Sequence, residues 1–178
     1  YDGVYELAGQ PRQFIQNCIV GGRTMCCNNE KRLLENKKIN DFDAVSLYPS
    51  AMNRINGFLK GLPKVLISTD YNVVKNYDGY FVQIRIKNIN IKRKFPLCSY
   101  VVKGDKNKDV REKVVRKKGV RNKPVRNKDE GVRNFTNDLV DRIVYIDKTG
   151  LEDLIRFQGV EFEIIKGYYF NEGFNNKI

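Results

Sequence analysis

Histidine and tryptophan are absent from these 178 residues, and methionine occurs only twice. The lack of histidine excludes every Ser-His or Cys-His nucleophile pair and every metal site built on imidazole. Cys18, Cys26, Cys27 and Cys98 form no CxxC pair, so a zinc site would need all four thiolates at an unusual spacing. Reduced thiols in a cytosol-like compartment are the expectation. No apolar run is long enough to span a membrane, and no signal-peptide pattern occurs. A membrane partner and secretion are therefore not expected. Whatever chemistry the chain performs must rest on carboxylates and metal.

Positive charge is abundant: 33 Lys and Arg against 21 Asp and Glu, a net of +12. That balance favours a polyanionic partner. Much of the excess lies between Lys103 and Arg133, where 13 basic residues face 5 acidic ones. Val110-Arg111-Glu112-Lys113, Val115-Arg116-Lys117-Lys118, Val120-Arg121-Asn122-Lys123 and Val125-Arg126-Asn127-Lys128 repeat at a step of five. Neither the 3.6 period of a helix nor the 2 of a strand matches that step. Scattered valines without aromatics cannot bury a face. Residues 103–134 therefore read as a basic low-complexity surface loop. Such a loop either touches nucleic-acid backbone in a salt-sensitive way or is simply solvated.

The rest of the chain reads as an α+β fold of single-domain size. Pro11 to Cys18 suits a short helix. Thr24 to Cys27 and Ile39 to Asp43 suit strands, and a helix should run from Pro49 towards Ile55 and stop near Gly57. Leu59 to Ile67, interrupted by Pro63, suits an irregular edge strand. Tyr80, Val82, Ile84 and Ile86 alternate with Phe81, Gln83, Arg85 and Lys87, which predicts one buried and one wet face. Asp141 to Ile146 is a further strand. Thr149 to Glu152 is a capping box opening a helix with Leu151, Leu154 and Ile155 on one face and Gly159 at its end. Val160 to Lys166 and Tyr168 to Phe170 read as two strands broken by Gly167.

The organising stretch is Asp41-Phe42-Asp43-Ala44-Val45-Ser46-Leu47-Tyr48-Pro49-Ser50-Ala51-Met52. It places an acid at a strand end just before a helix, where free backbone amides attract anions. Asp43-x-x-Ser46-Leu47-Tyr48-Pro49 resembles the first palm motif, DxxSLYP, of family B DNA polymerases. Upstream, Ile19-Val20-Gly21-Gly22-Arg23 is similar to the YxGG element of the protein-primed branch, found in phages, linear plasmids, organelles and large DNA viruses. Ile19 stands where that element has tyrosine, so the role of the ring does not carry over. The resemblance divides the chain into residues 1–60, the N-terminal part of a palm, and residues 61–178. The second part is similar to the mostly β inserted subdomain, with one helix, that contacts priming protein and DNA. The match is strong over residues 19–52 and rests on order and pattern beyond them.

By resemblance the activity is template-directed nucleotidyl transfer to a 3′-hydroxyl, or to a protein hydroxyl primer, with two Mg2+ ions. Asp43 would be the catalytic and metal-binding carboxylate, with the Ala44 carbonyl beside it. Asp41 is the other acid on that strand face. Ala44, Ser46, Leu47 and Tyr48 would bind the nucleotide, the Tyr48 ring lying under the sugar. Gly21, Gly22, Arg23 and Ser46 would contact DNA. The implied partners are template and primer DNA, a dNTP, a terminal priming protein and the remainder of the polymerase. The implied location is the cytoplasm, a viral replication site or an organelle. The family's second catalytic acid, in a DTDS-like motif, and its KxxxNSxYG-like motif do not occur in these residues. Tyr1 at the start points to an excised domain or a partial reading frame. The isolated chain is therefore expected to be inactive, with only one carboxylate of the metal site. The alternative is a non-catalytic DNA- or protein-binding module derived from a polymerase. A sequence-blind RNA-binding domain is a weaker third reading, because the usual aromatic signatures are missing.

Overall fold

Strand-forming alternation around residues 79–89 organises the architecture, in a computed structural model that describes residues 2–30, 32–102 and 132–175. In chain order the elements begin with helix α1 (Gly9–Cys18), a 3-10 turn (Cys27–Asn29) and helix α2 (Leu47–Arg54). Short strands β1 (Phe58–Leu59) and β2 (Lys64–Val65) and helix α3 (Tyr71–Val74) follow. Next come β3 (Gly79–Ile89), β4 (Ser99–Val102), β5 (Val132–Phe135) and β6 (Ile143–Asp147). The chain continues with α4 (Lys148–Gln158), β7 (Val160–Phe170) and β8 (Phe174–Asn175). This is a mixed α+β fold. The main sheet has four antiparallel strands in the order β2-β7-β3-β6, and β1–β8 and β4–β5 form two small pairs.

On β3 the expected alternation holds: Tyr80, Val82, Ile84 and Ile86 are wholly buried. Against that face pack Leu151 and Leu154 of α4, together with Val144 and Ile146 of β6. The apolar spacing along α4 gives it one core-facing stripe. The N-cap lies two residues before the expected one. Asp147, not Thr149, is the N-cap, its Oδ1 accepting from Gly150 N at 2.9 Å. An aspartate where the chain leaves β6 reaches the orphan amides first. At the other end Gly159 is left-handed, φ 56° and ψ 46°, as the sequence indicates.

The opposite face is partly covered by α1. Phe14 meets Tyr145 and Tyr168 edge-on, with ring centroids 5.1 and 5.2 Å away. Cys18 is buried beside them, and burial, with help from the Asp147 charge, pushes its thiol up to about 12.

Gly167 does not break β7, which runs continuously from Val160 to Phe170. It faces Val82 across the ladder. A Cβ there would collide with the Phe81 carbonyl oxygen and lie 2.9 Å from Val82 Cγ1. Glycine serves close backbone approach at this position, not a turn.

Gln158, the last residue of α4, is a buried anchor for the segment after β3. Leu97 N donates to its Oε1 at 2.9 Å, and its Nε2 donates to Ile91 O at 3.3 Å and Asn137 Oδ1 at 3.0 Å. At the entry to β6, Asp141 N donates to Ile86 O at 2.8 Å, and Ile86 N donates to Arg142 O at 3.0 Å. Asp141 has φ 60°. Two residues thus oppose one, a bulge whose first residue is left-handed.

Further expectations are corrected. Thr24–Cys27 is irregular backbone leading into the 3-10 turn, and Ile39–Asp43 forms no strand. Neither segment has a pairing partner among the described residues, and a lone strand leaves its ladder groups unmade. The Leu59–Ile67 stretch reduces to β1 and β2 on either side of Pro63, and β2 is an edge of the main sheet. The single-turn α3, capped by Asp70 Oδ1 accepting from Asn72 N, is an element beyond the one helix expected of this part. The repeat at 110–128 lies outside the described residues. Among the described residues no helix is long and apolar enough to cross a membrane.

Candidate functional site

Two places gather the residues singled out by sequence. The first is the corner ahead of α2. Asp43 and Ala44 lie in irregular backbone, a turn follows at 45–46, and the helix starts at Leu47. Ser46 occupies the N-cap position in the left-handed region, φ 52° and ψ 41°, and its side chain makes no capping bond. A serine at a helix start normally caps with its hydroxyl. The left-handed backbone removes that option, and non-glycine residues adopt it at a cost. The first helical bond is Ser50 N to Ser46 O at 2.9 Å. Leu47 and Tyr48 therefore begin the helix with amides that no side-chain cap covers, and Pro49 has no amide to give.

This corner is exposed throughout. From Ile19 to Asn56 no described side chain is buried. Phe42 and Val45 are each 89% exposed and Tyr48 is 72% exposed. Such apolar content normally sits against another element. Asp41 and Asp43 are both at the surface. A carboxylate and a carbonyl are the hard oxygen donors magnesium prefers. They are too few, however: no group of three acids or thiols able to hold a metal comes together among the described residues. These residues do not by themselves fit a two-magnesium centre.

The second place is a cleft of about 970 Å³ bounded by the end of α1, Ile19–Gly21, Arg23, the β4–β5 pair and β6. Arg23 ties the glycine segment to the opposite wall. Its Nη2 donates to Phe95 O at 2.8 Å and Pro96 O at 2.6 Å, and its guanidinium lies 5.2 Å over the Phe135 ring. Gly21 and Gly22 have ordinary backbone angles, and an added Cβ would meet nothing within 4 Å at either. Their bareness is not required by the packing around them. Cleft and corner share no lining residue: Asp43, Ala44, Ser46, Leu47 and Tyr48 stand outside the cleft.

No family model matches this chain, and no curated protein or solved structure matches it.

Sequence reasoning missed two cleft residues. Arg133 Nη1 donates to Ser99 Oγ at 3.0 Å, and the Arg142 guanidinium lies 5.1 Å over Tyr100. Both line the cleft with Arg23. Arg133 falls within the basic run, and Arg142 within the strand expected from Asp141 to Ile146. Only the β4–β5 pairing brings them together. Beside them, burial raises the Cys98 thiol to about 11, the Arg133 charge opposing the shift.

Proposed function

We propose that the chain is the segment of a protein-primed family B DNA polymerase that carries the first palm motif and the insertion after it. The reading rests on Asp43-x-x-Ser46-Leu47-Tyr48-Pro49. The observation that carries it is the corner itself: an exposed acid three residues ahead of a left-handed Ser46, then a helix whose first amides lack a side-chain cap. That arrangement presents a carboxylate and an anion-binding helix start together, as nucleotidyl transfer requires. In this reading Asp43 supplies one metal carboxylate, and Leu47 and Tyr48 offer amides to the triphosphate of a dNTP. The remainder of the palm supplies the other metal ligands. It also covers Phe42, Val45 and Tyr48, which face solvent here. Template, primer and a priming protein are the other partners, at a site of DNA replication.

The rival is a non-catalytic DNA- or protein-binding module. The observation favouring it is the cleft, where Arg23, Arg133 and Arg142 have no carboxylate partner among the described ion pairs. Sequencing the gene on both sides of these residues separates the two. A DTDS-like segment downstream supports the polymerase. A stop codon just past Ile178, with no companion gene carrying the second acid, leaves the binding module.

A further inference from the structure

The open edge of β6 is the least explained feature of the main sheet. β6 pairs with β3 on one side and with no described strand on the other. The bond from Ile86 N to Arg142 O sets the phase of that ladder. In an antiparallel pair, alternate residues direct both backbone groups towards the partner. Arg142, Val144 and Ile146 therefore face β3, while Ile143, Tyr145 and Asp147 direct their N–H and C=O groups outward.

Those outward groups open into the cleft. Every residue from Arg142 to Asp147 lines it. A hollow over one face of a sheet would touch only alternate residues, so the cleft runs along the strand edge. Ile143-Val144-Tyr145-Ile146 contains neither lysine nor proline, two of the devices that protect an edge from strand addition, and the Asp141–Arg142 bulge lies before this run and leaves it straight. One side of the cleft is walled by Cys18 and Ile19 at the end of α1, and the other by Gly150 and Leu154 of α4. Such a recess keeps out a second folded copy, whose own β6 edge is equally sunken. A single extended chain is thin enough to enter.

We propose that β6 takes up an extended segment of a partner protein by strand addition, making that segment a fifth strand of the main sheet. Alternating backbone donors and acceptors are matched by another polypeptide strand and not by a sugar–phosphate chain. The segment spans about five residues, or roughly 17 Å at 3.4 Å per residue. Its side chains towards α1 are apolar, to meet Ile19, and those towards α4 are small or polar, to pass Gly150 and Asp153. A carboxylate at one end meets Arg142 and Arg133, which lack carboxylate partners among the described ion pairs. This inference does not depend on the polymerase reading.

The test selects linear ten-residue peptides from a random display library on the full 178-residue chain, then measures amide hydrogen exchange with the selected peptides bound. The expected peptides alternate apolar residues, carry an acid at one end, and slow exchange at Ile143, Tyr145 and Asp147 at least tenfold. N-methylation should abolish binding at every second peptide position and spare the others. Ile143→Pro removes one outward amide without touching the β3 ladder and should lose the peptides, whereas Ile143→Ala retains them. If Ile143→Pro does not fold, the N-methyl series alone decides. Failure to select any peptide, or peptides that leave those amides unprotected, overturns the proposal. So does an oligo-dT strand that protects the same amides in their place.

Discussion

Gly167→Ala separates two accounts of the same residue by the sign of its effect. A glycine that merely interrupts a strand should tolerate alanine, and reduced freedom in the unfolded chain then stabilises by about 0.4–1 kcal/mol. The structure requires the reverse. The new methyl would strike the Phe81 carbonyl oxygen and sit 2.9 Å from Val82 Cγ1 and 3.0 Å from Leu66 Cδ1. Leu66 N also donates to Gly167 O at 3.0 Å, so β2 is held at the same point. The obstacle on one side is backbone in the central ladder between β3 and β7, and it cannot swing aside as a side-chain tip can. Overpacking of this kind costs about 1–3 kcal/mol, and loosening ladder bonds places Gly167→Ala at the upper end. A loss near 3 kcal/mol lowers Tm by roughly 6–12 °C for a chain of this size. Urea titration followed by circular dichroism gives the free energy, and amide exchange across β3 and β7 locates the damage. A variant as stable as the parent, or more so, would refute the close-approach argument.

Gln158→Met keeps the volume but leaves Leu97 N and Ile91 O without their side-chain partner, while Asn137 Oδ1 keeps only Arg93 N, so urea unfolding should show a loss of about 2–4 kcal/mol. The Cys18 thiol has a folded pKa raised to about 12 from an ordinary 9.0. Its contribution to stability is complete below pH 9 and is lost as pH rises towards 12. Chemical denaturation across that window should show a decline that is shallower in Cys18→Ala.

The core was legible in the sequence because Tyr80, Val82, Ile84 and Ile86 keep a period of 2, and Leu151 and Leu154 keep helical spacing. Local pattern and tertiary packing agree there. The α4 start was misplaced because Thr149–Glu152 and Asp147 both carry cap chemistry, and only the end of β6 decides between them. Gly167 reads as a break because a glycine that ends a strand and one that admits a close backbone leave the same mark on a sequence. Ile39–Asp43 has strand composition, but pairing needs a neighbour that the described residues do not supply. Of the candidate site, the motif residues were visible as a motif. The conformation of Ser46 and the missing cap were not, since serine at a helix start ordinarily signals a cap. The cleft was invisible because Arg23, Arg133 and Arg142 meet only through the β4–β5 pairing.

Asp43 is proposed to belong to the catalytic centre of a DNA polymerase. The most direct test is nucleotide incorporation on a primed template by the product of the complete gene, alongside its Asp43→Asn and Asp41→Asn variants. The account predicts magnesium-dependent incorporation that falls to background in Asp43→Asn and persists in Asp41→Asn. Full incorporation by Asp43→Asn, or none by the unaltered protein, would contradict it.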